Sequence, residues 1–127
     1  MSVRLQHVSI PRPPGSEEET RAFYRDLLGL PEIPPPNSIE AAEVIWFKLG
    51  EDAELHCFRE EPLGDTSNRH LCLVVEDLTG LRQKLDSAGY QPYDVEAIPG
   101  RPRFFCRDPF GNIIEFTTIV GDYLALQ

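Results

Sequence analysis

Long apolar runs are missing from this chain, and no stretch approaches the roughly 20 residues a helix needs to span a bilayer. A soluble protein is therefore expected. Basic charge is also scarce: 12 Lys and Arg stand against 21 Asp and Glu, for a net charge of −9 and an isoelectric point near 4.7. The basic residues are scattered apart from "GRPR". Such a surface repels nucleic-acid phosphates and anionic lipid, so no nucleic-acid or membrane role is expected, and a small molecule or another protein is the better partner.

Cysteine is too sparse for a disulfide framework. Cys57, Cys72 and Cys106 lie within strand-like segments and are odd in number, which suits reduced thiols. The opening "MSVRLQHVSI" lacks the apolar core and cleavage site of a secretory signal. Both features lead to a cytoplasmic expectation. At 127 residues the chain has room for one domain with a real core.

What is present has an order that occurs twice. Alternation in "VRLQHVSI" puts Leu5, His7 and Ser9 on one strand face and Gln6, Val8 and Ile10 on the other. Ser16 and Glu19 then form an S-x-x-E capping box that predicts a helix, with Phe23, Leu27 and Leu30 on its apolar side and Gly29 as its stop. A short edge strand is expected before the proline-rich connection "PEIPPPNSIEA", which leads to "EVIWFKL" and "AELHCFRE", an antiparallel hairpin turning around Gly50 to Asp52.

After the polar "EPLGDTSN" the order returns. "RHLCLVV" is a strand with a histidine near its start, and Asp77 caps a helix bearing Leu78, Leu81, Leu85 and Ala88 before Gly89. "YQPYDVE" has room for a short strand, and "RPRFFCRD" and "NIIEFTT" flank the turn "DPFGN". A duplication rather than a solenoid is implied. The expected fold is α+β: two βαβββ modules, about 1–62 and about 68–120, in a single domain spanning 1–127.

The histidines number three, so each can be weighed. Alone, a strand histidine is ordinarily a hydrogen-bonded or surface residue. His7, His70 and Glu115, however, all fall on strand faces opposite the apolar residues that would pack under helices. Two imidazoles and a carboxylate make the facial set that holds a divalent metal with positions left open.

The framework "QHVSI…FYRDLLGL…WFKLG…ELHCF…RHLCLVVEDL…AGY…FFCRDPFGNIIEF" resembles the vicinal oxygen chelate superfamily. That group includes glyoxalase I, extradiol dioxygenases, fosfomycin-resistance transferases, methylmalonyl-CoA epimerase and bleomycin-binding proteins. The resemblance implies a cup-shaped mixed β-sheet with helices on its outer face, and one divalent metal ion per site (Zn, Ni, Mn, Fe or Co). His7, His70 and Glu115 match the family's ligands. Some members of the family use a fourth ligand, which here would come from Glu54 or His56, in phase on one strand, and the family's hairpin pattern favours His56.

By the same resemblance, Glu115 or Glu54 would be the catalytic base, and Arg103, Phe105 and Trp46 would bind substrate. Arg103 suits a carboxylate or phosphate. Cys72 shares the ligand face but reads best as a small apolar filler. The implied activity is a glyoxalase-like lyase or isomerase acting on a small oxygen-chelating carbonyl compound through an enediolate. Alternatives are an Fe(II) extradiol-type dioxygenase and a non-catalytic binder of a drug or metabolite. Against the first, no histidine remains outside the metal set; against the second, the metal ligands are retained. A homodimer is expected from the resemblance, with the apolar tail "TTIVGDYLALQ" as a covering surface for a partner or for the sheet edge.

Overall fold

The computed structural model describes residues 1–40, 43–61, 64 and 67–127, so Ala41 and Ala42 of the proline-rich connection and Pro62, Leu63, Asp65 and Thr66 of the inter-module stretch lie outside the described residues. The chain divides into two units, Met1–Gly64 and Asp65–Gln127. Each builds an open sheet, so the molecule is a mixed α+β protein.

In the first unit, β1 (His7–Arg12) is followed by α1 (Glu17–Thr20), which runs on into a π-helical stretch at Arg21–Leu27. The strands β2 (Glu32–Ile33), β3 (Val44–Leu49) and β4 (Ala53–Arg59) complete a βαβββ module. The sheet order is β1-β4-β3-β2, with β1 parallel to β4 and the other pairs antiparallel. Ile45 and Phe47 lie across from Cys57 and Leu55 and are buried, and the Tyr24 ring packs 5.8 Å from that of Phe47. This apolar side turns toward the helix and leaves His7, Ser9, Glu54, His56 and Trp46 on the other face.

The helix departs from expectation at both ends. No capping box forms: the Ser16 hydroxyl donates to the Pro13 carbonyl at 2.5 Å and so belongs to the preceding turn. Widening to π geometry brings the adjacent Phe23 and Tyr24 inward together, whereas the α-helical spacing had paired Phe23 with Leu27 and Leu30.

In the second unit, β5 (His70–Val74), α2 (Leu78–Ser87), β6 (Arg103–Arg107) and β7 (Ile113–Thr117) form a sheet of order β5-β7-β6, again with its first and last strands parallel. The short strand expected in "YQPYDVE" is reduced to one bridge, Tyr93 to Phe105, beside Gln91 at φ 55°. Asp77 caps α2 as expected, accepting from the Gly80 amide at 3.0 Å.

The "DPFGN" turn is built on Asp108. Its Oδ1 accepts from the Phe110 and Asn112 amides, both at 2.9 Å, and Gly111 takes φ 94°. All of β7 is buried, with Ile114 and Phe116 on one face and Glu115 on the other, across from Phe105 on its partner strand.

Candidate functional site

The first unit gathers His7, Glu54, His56 and Trp46. Parallel pairing sets His7 across from Glu54 and Ser9 across from His56, and antiparallel pairing sets Trp46 across from His56. Three rings stack as a result: Trp46 on His56 at 3.7 Å and 5°, and His56 on His7 at 4.2 Å and 17°. The sandwich buries His56 while His7 stays exposed. The Trp46 Nε1–H is buried and has no hydrogen-bond acceptor among the described residues.

Glu54 and His56 lie on the same face of β4, and they reach each other, with Nε2 to Oε1 at 2.9 Å. A hydrogen bond from His56 holds the Glu54 carboxyl below its ordinary value, assisted by one from Gln6 and opposed by partial burial. His7 Nδ1 lies 2.6 Å from Gln6 Oε1. Alternation had placed Gln6 on the far face, but it precedes β1 and its side chain is long enough to return to its neighbour.

The second unit centres on Glu115, which is 3% exposed. Its Oε1 lies 3.1 Å from His70 Nε2, while its Oε2 receives Arg101 at 2.8 Å and lies 3.4 Å from Arg103 Nη1. Arg103 also donates to the Glu96 carbonyl at 2.8 Å and sits over the Phe105 ring, the partner with which it was expected to share a face. Cys72 adjoins this group, and burial, followed by the Glu115 charge, raises its thiol above the ordinary value.

Arg101 was missed by sequence reasoning. The available signal was "RPR": Pro102 forces extended backbone on Arg101, so positions 101 and 103 fall on one side.

Register relates the two units. His7 and His70 each open a strand parallel to the module's last strand; Ser9 pairs with His56 and Cys72 pairs with Glu115. His56 is therefore the counterpart of Glu115, and Glu54 that of Ile113.

Nitrogen chemistry indicates what these groups can hold. His70 Nδ1 donates to the Asn68 carbonyl at 2.8 Å, so a neutral ring presents a bare Nε2 to the Glu115 carboxylate. Two lone pairs facing each other require a proton or a cation between them. Their separation matches the gap of about 3 Å between adjacent ligands bonded at about 2.1 Å to a first-row divalent metal. This one N and one O suit such an ion, and a carbonyl on the far ring nitrogen is the usual support for a ligating histidine, while among the described residues no three His, Cys, Asp or Glu side chains are grouped to hold one.

The family profile described as the Glyoxalase/Bleomycin resistance protein/Dioxygenase superfamily matches residues 4–116. The chain belongs to this superfamily. A superfamily relative of solved structure, a glyoxalase family protein from Bacillus anthracis, is 34% identical, covers 94% of this chain and 97% of its own, and superposes with a TM-score of 0.83.

The lactoylglutathione lyase of Agrobacterium tumefaciens shares the fold at 20% identity, covering 93% and 95% of the two chains, with a TM-score of 0.70. So does the genomically encoded fosfomycin resistance protein FosX of Listeria monocytogenes, solved with Mn(II) and sulfate, at 12% identity, coverage of 97% and 95%, and a TM-score of 0.79. No curated protein sequence matches the chain.

Proposed function

We propose that this superfamily member is a divalent-metal-dependent, glyoxalase-like lyase or isomerase of a small oxygen-chelating carbonyl compound. The observation that carries the reading is His70, whose Nδ1 is engaged by the Asn68 carbonyl at 2.8 Å and whose Nε2 faces Glu115 Oε1 at 3.1 Å. His7, His56, His70 and Glu115 are the proposed metal donors, and His56 is preferred to Glu54 because it is the register counterpart of Glu115.

A bound divalent ion would supply electrophilic stabilisation of the negative charge that develops on a substrate carbonyl oxygen. The chain's own groups do the rest. The Glu115 carboxylate removes the proton beside that carbonyl. Arg103 binds an anionic substituent of the substrate, and Phe105 and Trp46 supply apolar walls. Arg101 and Arg103 hold Glu115 by Oε2 and turn Oε1 toward His70.

No helix among the described residues is long and apolar enough to cross a membrane. The free Cys57, Cys72 and Cys106 support a reducing, cytoplasmic location. A homodimer is the proposed assembly.

Two measurements test this function. Elemental analysis of protein purified without added metal should find bound divalent ion in the wild type and near-complete loss in His7→Ala and Glu115→Ala; unchanged content would refute the donor assignment. Solvent deuterium should enter the carbon beside the carbonyl of small 2-oxoaldehydes or their thiol adducts only when metal is present. Metal-independent exchange, or oxygen uptake with Fe(II) and a catechol, would replace this reading with another.

A further inference from the structure

The family resemblance gives Glu54 two employments, as a base or as a substitute ligand, and its surroundings argue against both. Its carboxylate accepts from His56 Nε2 at 2.9 Å and from the Gln6 side chain, while its own backbone amide donates to the Gln6 carbonyl at 2.9 Å. Gln6 is thus held beside Glu54 by main chain and side chain together. With its amide N–H turned to Glu54, its Oε1 faces His7 Nδ1 at 2.6 Å.

The donors and acceptors in this chain have only one consistent assignment. A carboxylate only accepts, so His56 donates from Nε2 and, when neutral, keeps Nδ1 bare. The Gln6 oxygen likewise only accepts, so His7 donates from Nδ1 and keeps Nε2 bare. The second unit uses the same device in another form, the Asn68 carbonyl on His70 Nδ1. The Trp46–His56–His7 stack then fixes the planes of both rings in the first unit.

We propose that Gln6 and Glu54 are positioning residues: Gln6 sets the tautomer of His7, Glu54 anchors Gln6 and His56, and Glu54 is neither metal ligand nor base. The proposal rests on the metal-dependent reading for its purpose, and it leaves Glu115 as the proton-moving carboxylate. Its geometry stands in the metal-free protein. Gln6 is exposed, so replacing it removes an orienting contact without opening the core.

The test is nitrogen-15 NMR of the histidine rings in chelator-stripped protein, joined to calorimetric titration with Co(II) or Ni(II). Wild type should show His7 protonated at Nδ1 and His56 at Nε2. Gln6→Leu should give His7 a mixture of tautomers with His56 unchanged, and should weaken the metal by about tenfold, the usual effect of losing a partner on a ligand's far nitrogen. Glu54→Gln should preserve the His56 tautomer, metal stoichiometry and carbon-bound proton exchange, whereas Glu54→Ala should release the His56 ring.

His7 protonated at Nε2 in wild type would overturn the proposal. So would loss of exchange or of metal in Glu54→Gln with both tautomers intact, since that would make Glu54 the base or a ligand. A wild type that binds no divalent ion at all would instead refute the metal reading, while the tautomers would still decide the network.

Discussion

Cys106 and Cys72 show how two thiols in one small sheet come to differ. Burial pushes the Cys106 thiol from its ordinary 9.0 up to about 11, and its side chain is closed off on β6. Cys72 is exposed as a residue, although its thiol too is raised. A maleimide at neutral pH should therefore modify Cys72 first and leave Cys57 and Cys106 until the protein unfolds; peptide mapping would show the order. Linkage gives a second consequence. Because the folded thiol of Cys106 ionises later than the unfolded one, its contribution to stability is complete below pH 9.0 and is lost as pH rises from there toward about 11. Glu54 has the opposite sign: its lowered value stabilises the fold above the ordinary 4.5 and less as pH falls through its own value. The difference in thermal midpoint between wild type and Glu54→Gln should accordingly shrink on acidification, and a pH-independent difference would show that the carboxylate charge plays no part.

Elements show where reading from the sequence succeeds and where it stops. Strand faces were legible because their period is two: His7 with Ser9, His70 with Cys72, and Arg103 with Phe105 all share the faces that alternation assigned. Gln6 and Arg101 were not, since each flanks a strand and acts through a long side chain that alternation does not govern. The π-helical stretch was hidden for a related reason, because its apolar residues also satisfy an α-helical spacing. The closing 3₁₀ turn, Tyr123–Leu126, shows what such loops hold together. The Tyr123 ring lies 5.4 Å from the Arg101 guanidinium, Gln127 donates to the Pro99 carbonyl at 3.0 Å, and Gly100 sits beneath with φ 76°. A Cβ at Gly100 would come within 2.5 Å of Leu126 Cδ1 and 3.1 Å of Tyr123 Cβ. Gly100→Ala should cost about 1–3 kcal/mol from backbone strain and the displaced turn. Adding Leu126→Ala should recover only part of the loss in a denaturant titration, because the positive φ remains.

For the whole molecule, charge and apolar surface favour different partners. A net charge of −9 disfavours anionic surfaces, yet apolar side chains are 45% exposed or more in both units: Met1, Val3 and Leu5 in the first, and in the second five, Val74, Ile119, Val120, Leu124 and Leu126. Scattered apolar residues need no explanation, but four of these five fall in the last nine residues of the chain, in the tail that the sequence marked as a covering surface. A second copy of this acidic chain can meet that surface only where its own charge is sparse, and the apolar tail itself provides such a surface. In a symmetric pair each copy would present the same patch to the other. Light scattering in solution should then give a mass of twice 14.4 kDa. Leu124→Glu would place like charges opposite one another in such a pair and should shift the mass to that of one chain. It should leave the metal content unchanged, because Leu124 is not among the proposed donors. A wild-type mass of one chain, or a dimer indifferent to Leu124→Glu, would assign the tail to covering its own sheet edge instead.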